Sequence, residues 1–299
     1  ATLKNVITAT AEAKRIIREF EPDVAVGTGG YVCFPVLKAA SELGVPTAVH
    51  ESNAVPGLTT KMLEGAVDTI MVGFEESRAN YKHPDRVKVT GTPVRVDFLS
   101  QSKAQAKREL GIPEDRPLVA SVWGSLGAAH MNKIMTDFIV RACAKPFFNL
   151  IHSAGKAGYS RMKDALEREK PDYARLGMDV RDYIYDMPRV MAAADLVLCR
   201  AGASTLAELT AMGKPAILVP SPNVTNNHQE KNARVLEEAG GAKVMLEQDF
   251  TADSLLGLVS ELLQRPERLK EMSQNMLGLG VPDATDRIAD IVLGLAERK

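Results

Sequence analysis

The 299-residue chain carries 37 basic against 38 acidic side chains, a net charge of -1, with 45% hydrophobic and 25% charged residues. That balance belongs to a globular protein of about two domains and excludes a disordered chain or a fibre. It also excludes capture of nucleic acid by bulk charge, so an anionic ligand has to be held by local geometry.

Leu3, Val6, Ile7, Ala13, Ile17 and Phe20 recur at helical spacing and predict an opening helix. "PDVAVGTGG" then reads as a short strand ending in glycines, followed by a helix near 33–43 and the strands "PTAVHES", "DTIMVG" and "VKVTG". Strands alternating with helices imply a parallel sheet with right-handed crossovers, a Rossmann-like α/β half. The polar stretch 100–117 reads as a linker containing a helix. Beyond it "LVASVW", "NLIHSAG", "MDVRDYI", "LVLCR", "AILVP" and "AKVMLE" restart the alternation. The expected domains are 1–99 and 118–282, with the closing helix 283–299 packing back on the first. Cys33, Cys143 and Cys199 form no CxxC pair, which points away from zinc or redox chemistry and toward a reducing cytoplasm.

Ligands in such sheets bind at the carboxyl ends of the strands, so the loops there carry the functional expectations. In "CRAGASTLAEL" the small residues after Arg200 let amides at a helix start approach a diphosphate. One turn inward, Glu208 can accept both hydroxyls of a ribose, or it can be a solvated helix residue. Arg200 can assist the diphosphate or pair with a nearby carboxylate. "WGSLGAA" offers a second glycine-rich turn with the Ser125 hydroxyl. "TNNHQEKNA" sets His228, Gln229 and Asn232 on one helix side as sugar-reading groups, or as ordinary polar residues. In the first half, "GTGGY" ends in Tyr31, and "HESNAVPGL" carries His50, Glu51 and Asn53, of which His50 or Glu51 can act as a proton acceptor.

Six stretches, "GTGGYVCFPVLKAA", "HESNAVPGLTTKML", "GSLGA", "CRAGASTLAEL", "NHQEKNA" and "PDATDRIA", occur in the order and spacing of the MurG family. The chain resembles that family from Leu3 to its end. The resemblance implies the GT-B fold of two Rossmann-like domains. It further implies metal-independent, cofactor-free, inverting transfer of N-acetylglucosamine from UDP-N-acetylglucosamine to lipid I, at the cytoplasmic face of the inner membrane and beside other wall-synthesis and division proteins. By position it assigns Glu208 to the ribose, Ala203, Ser204, Thr205 and Ser125 to the diphosphate, and the Ile184 backbone to uracil. Gln229 and Asn232 fall on sugar-binding amides, and His228 stands where some members carry glutamine. Tyr31, His50, Glu51 and Asn53 fall on the acceptor and catalytic side.

"WGSLGA" departs from the commoner "GGSQGA", and Leu126 removes an amide from the donor loop. Family members also place a strand and a "GTGGH" loop ahead of the helix at Leu3, so the N-terminal sheet is expected to be partial. No Asp-x-Asp motif of metal-dependent transferases is present. On the first helix Lys4, Lys14, Arg15 and Arg18 outweigh Glu12 and Glu19, a mild basic excess that can favour anionic lipid. A UDP-N-acetylglucosamine 2-epimerase and a non-catalytic UDP-sugar-binding or scaffold protein are the rival readings. A dehydrogenase is disfavoured because no G-x-G-x-x-G precedes a ribose-binding acid.

Overall fold

The computed structural model describes residues 2–124 and 129–297, with side chains from residue 8 onward. The chain divides into two compact units, residues 1–94 with 281–299, and residues 95–280.

In the first unit the elements run α1 (Thr2–Phe20), β1 (Ala25–Gly27), α2 (Cys33–Glu42), β2 (Thr47–Glu51), α3 (Leu58–Leu63), β3 (Thr69–Val72) and β4 (Val87–Val89). The four strands are parallel, in the order β1-β2-β3-β4. Leu37, Val49, Leu63, Ile70, Val72 and Val87 form its core. Every residue of β2 is buried, the pattern of a strand covered on both faces. His50 and Glu51 at its end therefore need partners inside the protein.

The second unit holds α4 (Lys103–Glu109), β5 (Leu118–Val122), α5 (Ala129–Ala142), β6 (Asn149–Ser153), α6 (Lys156–Glu169), β7 (Met178–Arg181), α7 (Met187–Ala193), β8 (Leu196–Cys199), α8 (Ala203–Ala211), β9 (Ala216–Leu218), α9 (His228–Glu238), β10 (Ala242–Val244), α10 (Ala252–Leu263) and α11 (Pro266–Leu279). The chain then returns to the first unit as α12 (Ala284–Ala296), where Leu295 packs with Ala48 and Met71. The second sheet is six-stranded and parallel, in the order β10-β9-β8-β5-β6-β7. Its core gathers Met131, Met135, Phe138, Phe148, Leu150 and Leu166. Buried His152 accepts from Ser121 Oγ at 2.9 Å and donates to Asn132 Oδ1 at 3.3 Å. Burial pushes its imidazole down to about 3, so it stays neutral as a core strut.

The stretch 100–117, expected as a linker containing a helix, carries α4. It belongs to the second unit, as do residues 95–99. The cause lies in α4, where Ala106 and Lys107 are buried and the Lys107 ammonium lies 3.0 Å from an Asp195 oxygen.

Candidate functional site

Because β5 lies between β8 and β6, the carboxyl ends of β5 and β8 lie side by side where the strand order reverses, with Val122 opposite Cys199. This is where doubly wound sheets bind ligands.

After β8 the chain turns through Arg200, Ala201 and Gly202 into α8. Gly202, the N-cap, has extended backbone angles and supplies no side-chain cap. Among the described residues the amides of Ala203, Ser204 and Thr205 have no backbone acceptor, and the hydroxyls of Ser204 and Thr205 no partner. Three orphan amides on a positive helix end suit an anion. One turn inward, Glu208 is half-buried and has no hydrogen bond or ion pair among the described residues. Burial raises its carboxyl above the ordinary value, with Arg95 pulling it down and Asp97 pushing it up. A desolvated, unpaired carboxylate there is a ready acceptor for donor groups of a ligand.

Arg200 is the residue for which the sequence left two roles open, and in the structure it pairs with a carboxylate. Its Nη1 lies 2.7 Å from Glu247 Oε2 and donates to the Val219 and Pro220 carbonyls at 3.1 and 3.2 Å. The guanidinium sits 5.9 Å from the centre of the Trp123 ring, which meets Phe250 edge-on at 5.4 Å. Arg200 thus braces the turn. Glu247 and Trp123 escaped sequence reasoning because nothing in their spacing couples them to Arg200. Cys199 is buried in β8, and burial pushes its thiol up to about 12, so it is no nucleophile here.

The loop after β5 begins at Gly124, whose φ of +95° is left-handed and therefore favours glycine. Ser125 and Leu126 lie outside the described residues. After β7, Ile184 is buried, and neither its amide nor its carbonyl has a hydrogen-bond partner among the described residues. A free donor and acceptor side by side can match the edge of a base. Tyr183 and Tyr185 flank it with ring centres 5.0 Å apart.

The start of α9 corrects one expectation. His228, Gln229 and Asn232 do not present one open polar face. Asn232 is 0% exposed and its amide reaches the Ala201 carbonyl at 3.4 Å, tying α9 to the turn below α8. Gln229 Oε1 accepts from the Ser221 amide at 2.9 Å, leaving its NH2 as the available group. His228 Nδ1 donates to the Thr225 carbonyl at 2.8 Å. Asn226 and Asn227 take left-handed angles ahead of the helix, which asparagine tolerates.

In the first unit Glu51 is corrected as a proton acceptor. Its Oε1 accepts from the amide and side chain of Asn53, and its Oε2 from the Gly57 amide and the Thr60 hydroxyl, all at 2.9 to 3.1 Å. With four donors in place it has no lone pair to spare. His50 is different: Nε2 donates to the Gly91 carbonyl at 2.8 Å, which fixes the tautomer and leaves Nδ1 an acceptor with no partner among the described residues. Gly29 and Gly30 both have left-handed backbones, and Tyr31 beyond them is 88% exposed. Two of the four basic residues on α1 are engaged within the protein, Lys14 with Glu42 and Arg15 with Glu12 and Glu19. The side chain of Lys4 lies outside the described residues. No helix among the described residues is long and apolar enough to cross a membrane.

Residues 119–288 match the glycosyltransferase family 28 C-terminal domain, and residues 1–72 its N-terminal domain. The chain is 43% identical over 298 residues to the UDP-N-acetylglucosamine--N-acetylmuramyl-(pentapeptide) pyrophosphoryl-undecaprenol N-acetylglucosamine transferase of Acetivibrio thermocellus, covering 99% of this chain and 79% of that protein. To the enzyme of the same name from Bacillus cytotoxicus it is 39% identical, covering 99% and 80%. The crystal structure of Acinetobacter baumannii MurG superposes with a TM-score of 0.79 at 26% identity, covering 98% of this chain and 80% of that one. The UDP-GlcNAc 2-epimerase of Neisseria meningitidis, at TM-score 0.66 and 15% identity over 98% and 82%, shares the fold alone, so the epimerase reading is not favoured. The chain is a member of glycosyltransferase family 28, in its MurG group of N-acetylglucosaminyltransferases.

Proposed function

We propose that the second unit binds UDP-N-acetylglucosamine through the loops after β5, β7 and β8. The observation that carries this is the uncapped start of α8 followed, one turn later, by Glu208, whose carboxyl accepts no hydrogen bond among the described residues. In this reading the diphosphate takes the amides of Ala203, Ser204 and Thr205, the ribose hydroxyls donate to Glu208, and the uracil edge meets the Ile184 backbone. Gln229 offers its NH2 to the sugar. Asn232 and Arg200 act as braces that hold the turn. Amides already oriented toward the leaving diphosphate stabilise the charge that develops on it, a term worth about 3 kcal/mol for one well-placed donor.

The acceptor is the lipid-linked muramyl group of lipid I. Its 4-hydroxyl oxygen attacks the anomeric carbon, the bond from that carbon to the diphosphate breaks with inversion, and UDP departs. His50 receives the hydroxyl proton at Nδ1, the nitrogen that the Gly91 carbonyl leaves free. Glu51 acts by shaping the 51–57 loop around Asn53, and Tyr31 lies on the acceptor side. A lipid-linked acceptor places the protein at a membrane surface, here the cytoplasmic face, where other wall-synthesis and division proteins would meet it. The exposed Ile16 and Phe20, one turn apart on α1, offer apolar contact there.

Calorimetric titration with UDP-N-acetylglucosamine tests the donor assignment, with ADP-glucose and Glu208→Ala as controls. Micromolar binding that the variant loses and ADP-glucose lacks is expected. Equal binding by the variant would overturn it.

A further inference from the structure

At the opposite, amino-terminal edge of the second sheet, a cavity of about 320 Å³ is lined by lysines from three separate elements. They are Lys103 at the start of α4, Lys214 just ahead of β9 and Lys270 on α11, with Ser273 one turn beyond Lys270. Asp195 is the one carboxylate in the lining, and both its oxygens are engaged. Lys103 contacts Oδ1, while Oδ2 takes Lys107 at 3.0 Å and the Leu118 amide at 2.8 Å.

Lys214 is 8% exposed, and its ammonium donates to the Ala192 and Ala194 carbonyls at 2.6 and 3.0 Å, closing the end of α7. That uses two of its three donors. Among the described residues neither Lys214 nor Lys270 has an ion-pair partner. A lysine that only caps a helix commonly keeps its charged head in water, whereas Lys214 is buried and lines a cavity in which Lys103 and Lys270 outnumber Asp195. We propose that this cavity binds a small phosphate-class oxyanion, through Lys214, Lys270 and the Ser273 hydroxyl.

Burial pushes the Lys214 amine down to about 7, helped by Lys103 and Lys107 and opposed by Asp195. An anion there favours the charged form, so occupancy is coupled to proton uptake near neutral pH. Sulfate, whose own charge is constant in that range, isolates the lysine: with an amine half-charged near 7, its affinity is about tenfold higher at pH 6 than at pH 8.

The test is calorimetry on the full chain with inorganic diphosphate, with and without saturating UDP, on wild type, Lys270→Gln and Lys214→Met. The expected result is binding that survives UDP and weakens at least about tenfold in either variant. Lys270 is exposed, so its variant keeps the test valid even where Lys214→Met fails to fold. Glucose 6-phosphate in place of diphosphate distinguishes the sources: whichever binds tighter identifies an inorganic or a metabolite occupant. No binding at millimolar diphosphate, displacement by UDP, wild-type affinity in Lys270→Gln, or sulfate affinity equal at pH 6 and 8 would each overturn the proposal.

Discussion

Glu51 ends the buried parallel strand β2 and Glu208 lies one turn into α8, the helix that follows the buried parallel strand β8, yet the two are treated in opposite ways. Glu51 accepts four hydrogen bonds from its own loop. Glu208 accepts none among the described residues, and burial raises its carboxyl. The first carboxylate is part of the fold's own hydrogen bonding. The second is partly desolvated with no hydrogen-bond donor among the described residues and only the longer-range pull of Arg95 to offset it, a cost that a folded chain carries where a ligand supplies the missing donors. A glutamate's position after a strand therefore does not reveal its role, whereas its unfilled acceptor capacity does.

The largest break in this comparison is Glu51→Ala, which strips partners from the Gly57 amide and the Thr60 hydroxyl and is expected to destabilise the protein by about 4 kcal/mol. Chemical denaturation measures it. A variant as stable as wild type but inactive would instead return Glu51 to the chemistry. Glu208→Ala is expected to do the reverse, weakening UDP-N-acetylglucosamine by about 2 kcal/mol, some 30-fold, with an unchanged or higher melting temperature. A fall in melting temperature like that of Glu51→Ala would erase the distinction. Gln229→Ala is smaller, about 1 kcal/mol in donor binding, because one neutral hydrogen bond from its NH2 to the sugar is lost. Its KM for the donor should rise with little change in stability, which steady-state kinetics would show.

Much of this was legible in the chain itself. The alternation of "LVASVW", "LVLCR" and "AILVP" with helical patterns predicts the parallel sheet, and the turn "RAGAST" predicts a helix start at which a ligand can approach the amides, because both rest on local periodicity and small side chains. What stayed hidden depends on contacts across the fold. Arg200 finds Glu247 from a distant stretch, and Asn232 turns inward to Ala201. The helix of 103–109 becomes part of the second unit through Lys107 and Asp195. Helical spacing set His228, Gln229 and Asn232 within a turn of one another, but it could not tell the buried amide from the open one.

The sharpest contrast comes from pH, because it pulls stability and ligand affinity apart at one atom pair. Glu208 has its carboxyl raised above 4.5, so in the window between that value and the raised one the folded chain holds a proton that the unfolded chain has released. Stability contributed by this group accordingly falls as pH rises through the window. Donor affinity moves the other way, since only the ionised carboxylate accepts from both ribose hydroxyls, and those donors in turn favour ionisation. Binding in the window must then release a proton, readable as a difference in calorimetric heat between two buffers of unlike ionisation enthalpy. Glu208→Gln, neutral throughout, should bind more weakly and show neither the slope nor the release. An affinity that fell with rising pH in wild type would mean that the protonated carboxyl is the binding form, acting as a donor, and the ribose assignment would have to be replaced by an acceptor group on the ligand.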